Sequence, residues 1–336
     1  MAQSIEEFFI TCLQKSGVCA KLDDDVFVFS GAQNSTLHKH LLLNSPRISS
    51  VKSYSMPAQS TFVSALDGFC EDIHFKRDWF SPYTLAYKAF LVNISDFVAK
   101  NATPAFALIS FVIARDMKKS HITEIVSGFS DVCQRFKIKI VGGDTMLGDK
   151  LAFHIALFGF ANRPISRYCK KKSLLFCTQG KGGIGFSLKT LRALLRFKPT
   201  QKYVSTYPKQ VLNATNMNYA SVQNRFYFPL PRTRFMESFG KYISASMDIS
   251  DGLLQDIPKL LSSASLNLMP SKIFRRFQRG AQKWRIQSGE EYEVLFAIHA
   301  RYRHALKRIA LKTRTKILFL GKLKRGKCRF YSQKWH

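Results

Sequence analysis

The chain has 336 residues, 46% of them hydrophobic, with 52 Lys and Arg against 22 Asp and Glu and a formal net charge of +30. That length and apolar content supply the cores of two domains rather than one. No apolar run approaches the roughly 20 residues that a membrane-spanning helix needs, so no membrane partner is expected. Seven Cys, an odd count without CxxC spacing, argue against a disulfide framework or a zinc site and for a reducing compartment. The opening MAQSIEEFF is acidic and lacks the regions of a signal peptide, so a cytoplasmic location is expected. The bases are interleaved with apolar residues, as in KTLRALLRFK and KIFRRFQRGAQKW, the spacing of amphipathic helices with solvated basic faces. A nucleic-acid partner is therefore not the expectation despite the charge; an anionic small substrate is.

In chain order, VFVFS (26–30), STFVSAL (60–66), FALISFVIA (106–114), KIKIV (137–141) and LAFHIALFGF (151–160) read as strands by their β-branched and aromatic content. Between them, 82–101 and 120–136 read as helices with Pro or Ser starts. A break follows around NRPISRYCKKK (162–172). The second half repeats the alternation: strand SLLFC, helix FSLKTLRALLRF, a polar loop-rich stretch at 199–230, strand SASMDI, helix GLLQDIPKLLSSA, strand EYEVLFAI, helix RYRHALKRIAL and strand TKILFLG. The expectation is a mixed α/β chain in two parts, 1–160 and 165–336.

Several of the scarce acids sit in short clusters at the ends of apolar runs: Asp23-Asp24-Asp25, NISDF with Asp96, VGGDT with Asp144, MDISDG with Asp248 and Asp251, and SGEEYE with Glu290, Glu291 and Glu293. Carboxylates brought together repel by roughly 3 to 4 kcal/mol per pair at about 4 to 5 Å and an effective dielectric of about 20. Hard oxygen donors of this kind suit Mg²⁺. The clusters therefore point to a metal-dependent enzyme that handles phosphate. Each also has a plain structural explanation: Asp96 and Asp251 suit helix caps, GGDT a turn, and Asp23 to Asp25 a surface loop. GKGGIG (180–185) fits GxGxxG between a strand and a helix, but the acid wanted about 20 residues further on for a ribose hydroxyl is missing; the next is Glu237. A phosphate-facing turn and a simple tight turn both stay open there. No GxxxxGK[ST] occurs.

Taken in order, the clusters resemble the thiamine-monophosphate kinase family, within the superfamily of aminoimidazole ribonucleotide synthetase. The resemblance runs from about Lys21 to Phe296 through LDDDVFV, SALDGFCEDIHF, YKAFLVNISDFVA, VGGDT, MDISDG and SGEEYEVLF, with Arg167 matching the Arg of a further turn. The chain departs from the family pattern at Asp23, at Ala65-Leu66 where Ser-Thr hydroxyls are usual, and in RYCKKKS. The resemblance implies a two-domain α/β fold: an ATP- and Mg-binding, dimerisation domain at 1–160, whose strands form a barrel across a homodimer, and an α/β domain at 165–336. It implies ATP-dependent phosphorylation of thiamine monophosphate to thiamine diphosphate by direct in-line transfer, without a general base. Alternatives are a sister ATP-dependent enzyme, or a weakened thiamine-phosphate- or RNA-binding protein on the same scaffold. The implied Mg²⁺ ligands are Asp25, Asp67, Asp96, Asp144, Asp248 and Asp251. The implied ATP contacts are Gly143, Asp144, Arg167 and Ser250, and the implied substrate contacts His74, Glu291 and Trp335, with Asp24 behind the metal ligands.

Overall fold

The computed structural model describes residues 26–29, 60–180, 182–196 and 225–328. Asp24 and Asp25 in the first acidic loop and Trp335 near the end lie outside the described residues. The strands are β1 (Val26–Phe29), β2 (Thr61–Cys70), β3 (Thr103–Ala114), β4 (Lys139–Gly148), β5 (Ala152–Ala161), β6 (Leu174–Gln179), β7 (Ile243–Asp248), β8 (Leu266–Pro270), β9 (Val294–Ile298) and β10 (Lys316–Arg325). The helices are α1 (Pro82–Ala99), α2 (Lys119–Phe136), α3 (Phe186–Arg196), α4 (Thr233–Phe239), α5 (Leu253–Ser262), α6 (Lys272–Arg279), α7 (Trp284–Gln287) and α8 (Arg303–Lys312). They surround two five-stranded sheets, ordered β1-β2-β5-β3-β4 and β7-β9-β6-β10-β8. The architecture is the mixed α/β class that the alternation of elements implied. No helix among the described residues is long and apolar enough to cross a membrane.

Helix α1 is the piece that joins the two sheets. Ser81 caps it, its hydroxyl accepting the Thr84 N–H at 3.2 Å, and Pro82 occupies the first turn, where its missing N–H costs nothing. Its sequence is apolar on all sides rather than along one stripe, as a helix enclosed by protein requires. It packs on β2, β3 and β5 of the first sheet and on β7 of the second. One continuous apolar core results, running from Val63, Phe111 and Phe153 through Phe90 and Phe97 to Phe176, Phe239 and Phe296. A second core lies on the other side of the second sheet, where α5 brings Leu253, Ile257 and Leu260 against Leu175, Leu295 and Leu320.

Among the described residues nothing covers the other face of the first sheet. Strand β5 alternates strictly between buried and half-buried residues, the period-2 signature of a sheet with one packed face. On the open side the register lines up Leu66, Ala156 and Leu108, with Leu66 69% and Leu108 41% exposed. Edge strand β4, parallel to β3, exposes Val141, Met146 and Leu147.

Helices α1 and α2 meet at a glycine. A β-carbon at Gly128 would lie 2.4 Å from the Tyr83 carbonyl oxygen and 3.0 Å from the Ala86 methyl. The backbone there cannot yield without separating the helices. Gly128→Ala is therefore expected to destabilise the protein by about 1 to 3 kcal/mol and to lower Tm by a few degrees, read by calorimetry. An unchanged Tm would show that the helices part without cost.

Candidate functional site

The site is built from the ends of four elements. Asp67 sits near the end of β2, Asp96 in the last turns of α1, Asp248 at the end of β7, and Glu290 to Glu293 run into β9. Three main-chain hydrogen bonds fasten the last two segments together: Ile249 N–H to the Glu293 carbonyl at 2.8 Å, Tyr292 N–H to the Ile249 carbonyl at 2.9 Å, and Glu290 N–H to the Ser250 carbonyl at 2.6 Å. To make these turns Glu290 and Tyr292 both adopt left-handed backbone, at φ 52° and 48°. That conformation is uncommon outside Gly, Asn and Asp, and it is held here by the surrounding bonds.

Tyr292 reports what the strand ends bring together. Its phenol is buried, and burial, then the charges of Glu290, Asp67, Asp248 and Asp96, push its pKa well above the ordinary value. The hydroxyl therefore stays protonated. Glu290 is the neutralised member: its Oε2 accepts from the Lys88 ammonium at 2.8 Å. Lys88 has no exposed surface, and its Nζ lies 4.2 Å from the Phe226 ring centre, 5.1 Å from Phe80 and 5.5 Å from Phe69. Burial pulls its pKa down while Glu290 opposes the change. Below this pair, Glu293 accepts from Thr178 Oγ1 at 2.5 Å, from Arg232 Nε and Nη2 at 2.8 and 2.7 Å, and from Arg225. Burial lowers both guanidinium pKa values, that of Arg225 to about 9 and that of Arg232 to about 10.

The remaining residues singled out in the sequence lie as follows. Asp144 is exposed on β4, its Oδ1 taking the Thr145 N–H at 2.9 Å. The register sets it in a row with Ser110, His154 and Gly68, whereas Asp67 shares the next row with Ile155, Ile109 and Gly143. Adjacent rows project to opposite faces of a sheet, so the structure does not bring Asp144 to Asp67. Gly143 allows the close approach of β4 to β3, since a β-carbon there would lie 1.9 Å from the Ile109 carbonyl oxygen. Asp251 is ion-paired with Lys259. It is not the helix cap: Gly252 holds that position at φ 98°, and buried Asp256 reaches back to accept the N–H groups of Asp251 and Gly252 at 3.1 and 2.9 Å. Ser250 contributes its carbonyl to the clamp above. Arg167 lies in the β5–β6 connection, where its carbonyl accepts from Ser263. His74 Nδ1 accepts the Cys70 N–H at 3.1 Å, and its ring lies against Phe69.

Glu291 decides how the glycine-rich loop is used. It is buried, and its Oε1 accepts the Ser187 N–H at 3.0 Å and the Ser288 hydroxyl at 2.6 Å. A carboxylate of the chain itself thus occupies the start of α3, the place where a phosphate would seek amide donors. Arg285 meanwhile binds the Gly182 and Ile184 carbonyls at 3.4 and 3.1 Å. The Gly183 N–H closes a turn onto the Gly180 carbonyl at 3.1 Å. Sequence reasoning missed Lys88, Tyr292 and Asp256 as parts of this region; the available signal was a Lys inside a largely apolar helical run.

Among the described residues no group of three or more His, Cys, Asp or Glu is arranged to hold a metal ion. The donor chemistry nevertheless fits Mg²⁺, which binds through one or two carboxylates together with substrate phosphates and water rather than in an all-protein cage.

Residues 51–161 match the family described as AIR synthase related protein, N-terminal domain. The thiamine-monophosphate kinase of Nitrosopumilus maritimus is 29% identical over 249 residues, 72% of this chain and 75% of that protein. That of Escherichia coli is 25% identical over 264 residues, 75% of each chain. The chain is a relative of the thiamine-monophosphate kinases. The fold agrees: AaThiL complexed with AMPPCP and TMP superposes with a TM-score of 0.72 at 20% identity, covering 100% of this chain and 99% of that one. Hydrogenase maturation protein HypE in complex with ATP superposes with a TM-score of 0.60 at 11% identity, covering 85% of this chain and 81% of that one.

Asp256 yields a test of the local electrostatics. Burial, then the nearby Asp251, raises its pKa well above 3.8 in the folded chain. The folded state then binds more protons than the unfolded one between the two pKa values, so the contribution of Asp256 is full below about pH 4 and is lost as pH rises. Asp256→Asn keeps an acceptor oxygen and removes the ionisation. The Tm of the variant relative to the parent is expected to rise between pH 5 and pH 8, whereas a pH-independent difference would refute the assignment.

Proposed function

We propose that this chain transfers the terminal phosphoryl group of ATP to the phosphate of thiamine monophosphate, giving thiamine diphosphate and ADP. The observation that carries the reading is the likeness to these kinases over most of the chain, and it is supported by Asp67, Asp96 and Asp248 standing near the ends of β2, α1 and β7, elements that pack together through α1. The reaction brings two polyanions together, so its barrier is chiefly electrostatic, and positioning with charge neutralisation supplies most of the rate. Asp67, Asp96 and Asp248 would supply carboxylate oxygens, one or two per ion, to Mg²⁺ held together with the substrate phosphates, and the metal when bound would screen the phosphates from one another. The Tyr292 phenol, kept protonated, would donate to a phosphate oxygen rather than repel it. No side chain need remove a proton, because a phosphate monoester, with a second pKa of about 6, already presents an anionic oxygen at neutral pH.

The first sheet with α1 is read as the ATP- and Mg-binding part, up to about residue 160, and residues from about 165 as the second part. Gly143, Arg167 and Ser250 are proposed on the nucleotide side and His74 on the thiamine side. Glu291 acts there indirectly, by fixing the 180–187 turn. Asp144 and Asp251 are held away from the three central carboxylates, and like Asp25 and Trp335 they rest on the resemblance alone. A cytoplasmic homodimer is part of the reading.

Purified protein with Mg-ATP is expected to convert thiamine monophosphate to the diphosphate, followed by chromatography of the products. Asp96→Asn is expected to lower the rate by at least about 100-fold with Tm shifted by only a few degrees. ADP release that does not depend on thiamine monophosphate, or full activity in the variant, would reject the reading.

The uncovered face of the first sheet supports the homodimer. Light scattering is expected to give twice the 38.4 kDa chain mass, and Leu147→Asp on the exposed edge strand is expected to shift it to the monomer value. A monomeric parent would overturn this part.

A further inference from the structure

Helix α1 is fastened to the second sheet at two places. Near its C-terminus, the Ser246 hydroxyl of β7 donates to the Ala99 carbonyl, and the Lys100 ammonium reaches the Ser246 carbonyl at 3.4 Å. Near its middle, Lys88 binds Glu290. Asp96 lies between these fastenings, eight residues after Lys88 and three before Ala99. Asp248 lies two residues after Ser246, on a segment that is itself bonded to residues 290–293. A closed mechanical circuit results: Asp96, α1, Lys88, Glu290, Ser250, Asp248. The Lys88–Glu290 contact is its only side-chain ion pair among the described residues.

We infer that Lys88 is a positioning residue for phosphoryl transfer, its caged ammonium holding Glu290 so that Asp96 and Asp248 face each other at the separation that magnesium and the phosphates require. A core position offers easier ways to fill volume than a Lys beside three aromatic rings and a carboxylate, and a buried ion pair is weak evidence for stability. Its use is directional. The ammonium fixes one oxygen of Glu290, and through the left-handed turn at Glu290 it sets the path of the whole 290–293 segment. An apolar side chain would fill the cage without choosing where that segment runs. The inference rests on the phosphoryl-transfer reading, because it assigns Lys88 a part in that reaction.

The test uses the full chain with Lys88→Met, Lys88→Arg, Glu290→Gln and the double variant Lys88→Met with Glu290→Gln. The double variant leaves no buried lone charge and keeps the test available where a single variant fails to fold. Three quantities are measured: Tm, Mg²⁺ binding to the nucleotide-free protein by calorimetry, and kcat and KM for thiamine monophosphate. Positioning predicts that each single variant and the double variant lower kcat about 10- to 100-fold and weaken Mg²⁺ binding by a similar factor. The double variant should be no worse than either single one, since all break the same contact, and Lys88→Arg should recover part of both. If Lys88 acts only by its charge, Lys88→Met tightens Mg²⁺ binding while Glu290→Gln weakens it, and the inference fails. It fails equally if the variants lose Tm but keep kcat and Mg²⁺ affinity. A parent protein that binds Mg²⁺ but transfers no phosphate rejects the proposed reaction instead, and the binding series then still decides whether Lys88 sets the carboxylates.

Discussion

An ammonium group with no contact with water needs a partner, and the partner of Lys88 stands 202 residues further along the chain. Removing one member of a buried pair strands the other, at a cost of about 3 to 5 kcal/mol. Much of the architecture can be traced from that constraint. It brings the segment that leads into β9 of the second sheet onto a helix that belongs by sequence to the first. It places the aromatic residues Phe69, Phe80 and Phe226, from three separate segments, around one charge. It ties together the elements that carry Asp96 and Asp248.

The SGEEYE segment shows how one short motif divides its labour. Four of its side chains point into four surroundings. Glu290 meets a lysine, Glu291 the start of a helix, Tyr292 the buried interior within the field of nearby acids, and Glu293 two guanidinium groups. Successive residues of an extended segment point to opposite sides, and the left-handed turns at Glu290 and Tyr292 add directions that plain alternation lacks. Three carboxylates in four residues would repel one another strongly if they shared one environment. Separate partners remove that conflict and make the segment rigid.

Most of the elements were legible in the sequence because they carry long apolar periods. The strands from β1 to β7, then β9 and β10, and helices α1, α2, α3, α5 and α8, all stand near their expected places. Strand β8 was not legible, since LNLMP is short and ends in Pro, and it takes its conformation from pairing with β10. Helix α4 lay hidden at the edge of a polar stretch and is fixed by Phe235 and Phe239 entering the core. Strand β4 runs on through Gly142-Gly143, where glycine punctuation suggested a turn; the tight approach to Ile109 explains why glycine is used there. At the site, Asp67, Asp96 and Asp248 were readable as acids at element ends. Lys88 and Tyr292 were not, because their roles come from partners far apart in the chain.

The all-round burial of α1 has a consequence for biosynthesis. The helix is complete at Ala99, but β9, which carries its far partners into place, ends at Ile298. At about 5 to 20 residues per second on the ribosome, the intervening stretch of about 200 residues takes roughly 10 to 40 s to make. Through that interval the nascent chain holds an oily helix with half of its cover and a lysine awaiting its counter-charge. Such a chain completes its core only once β9 has emerged, and until then it is a natural client for chaperones.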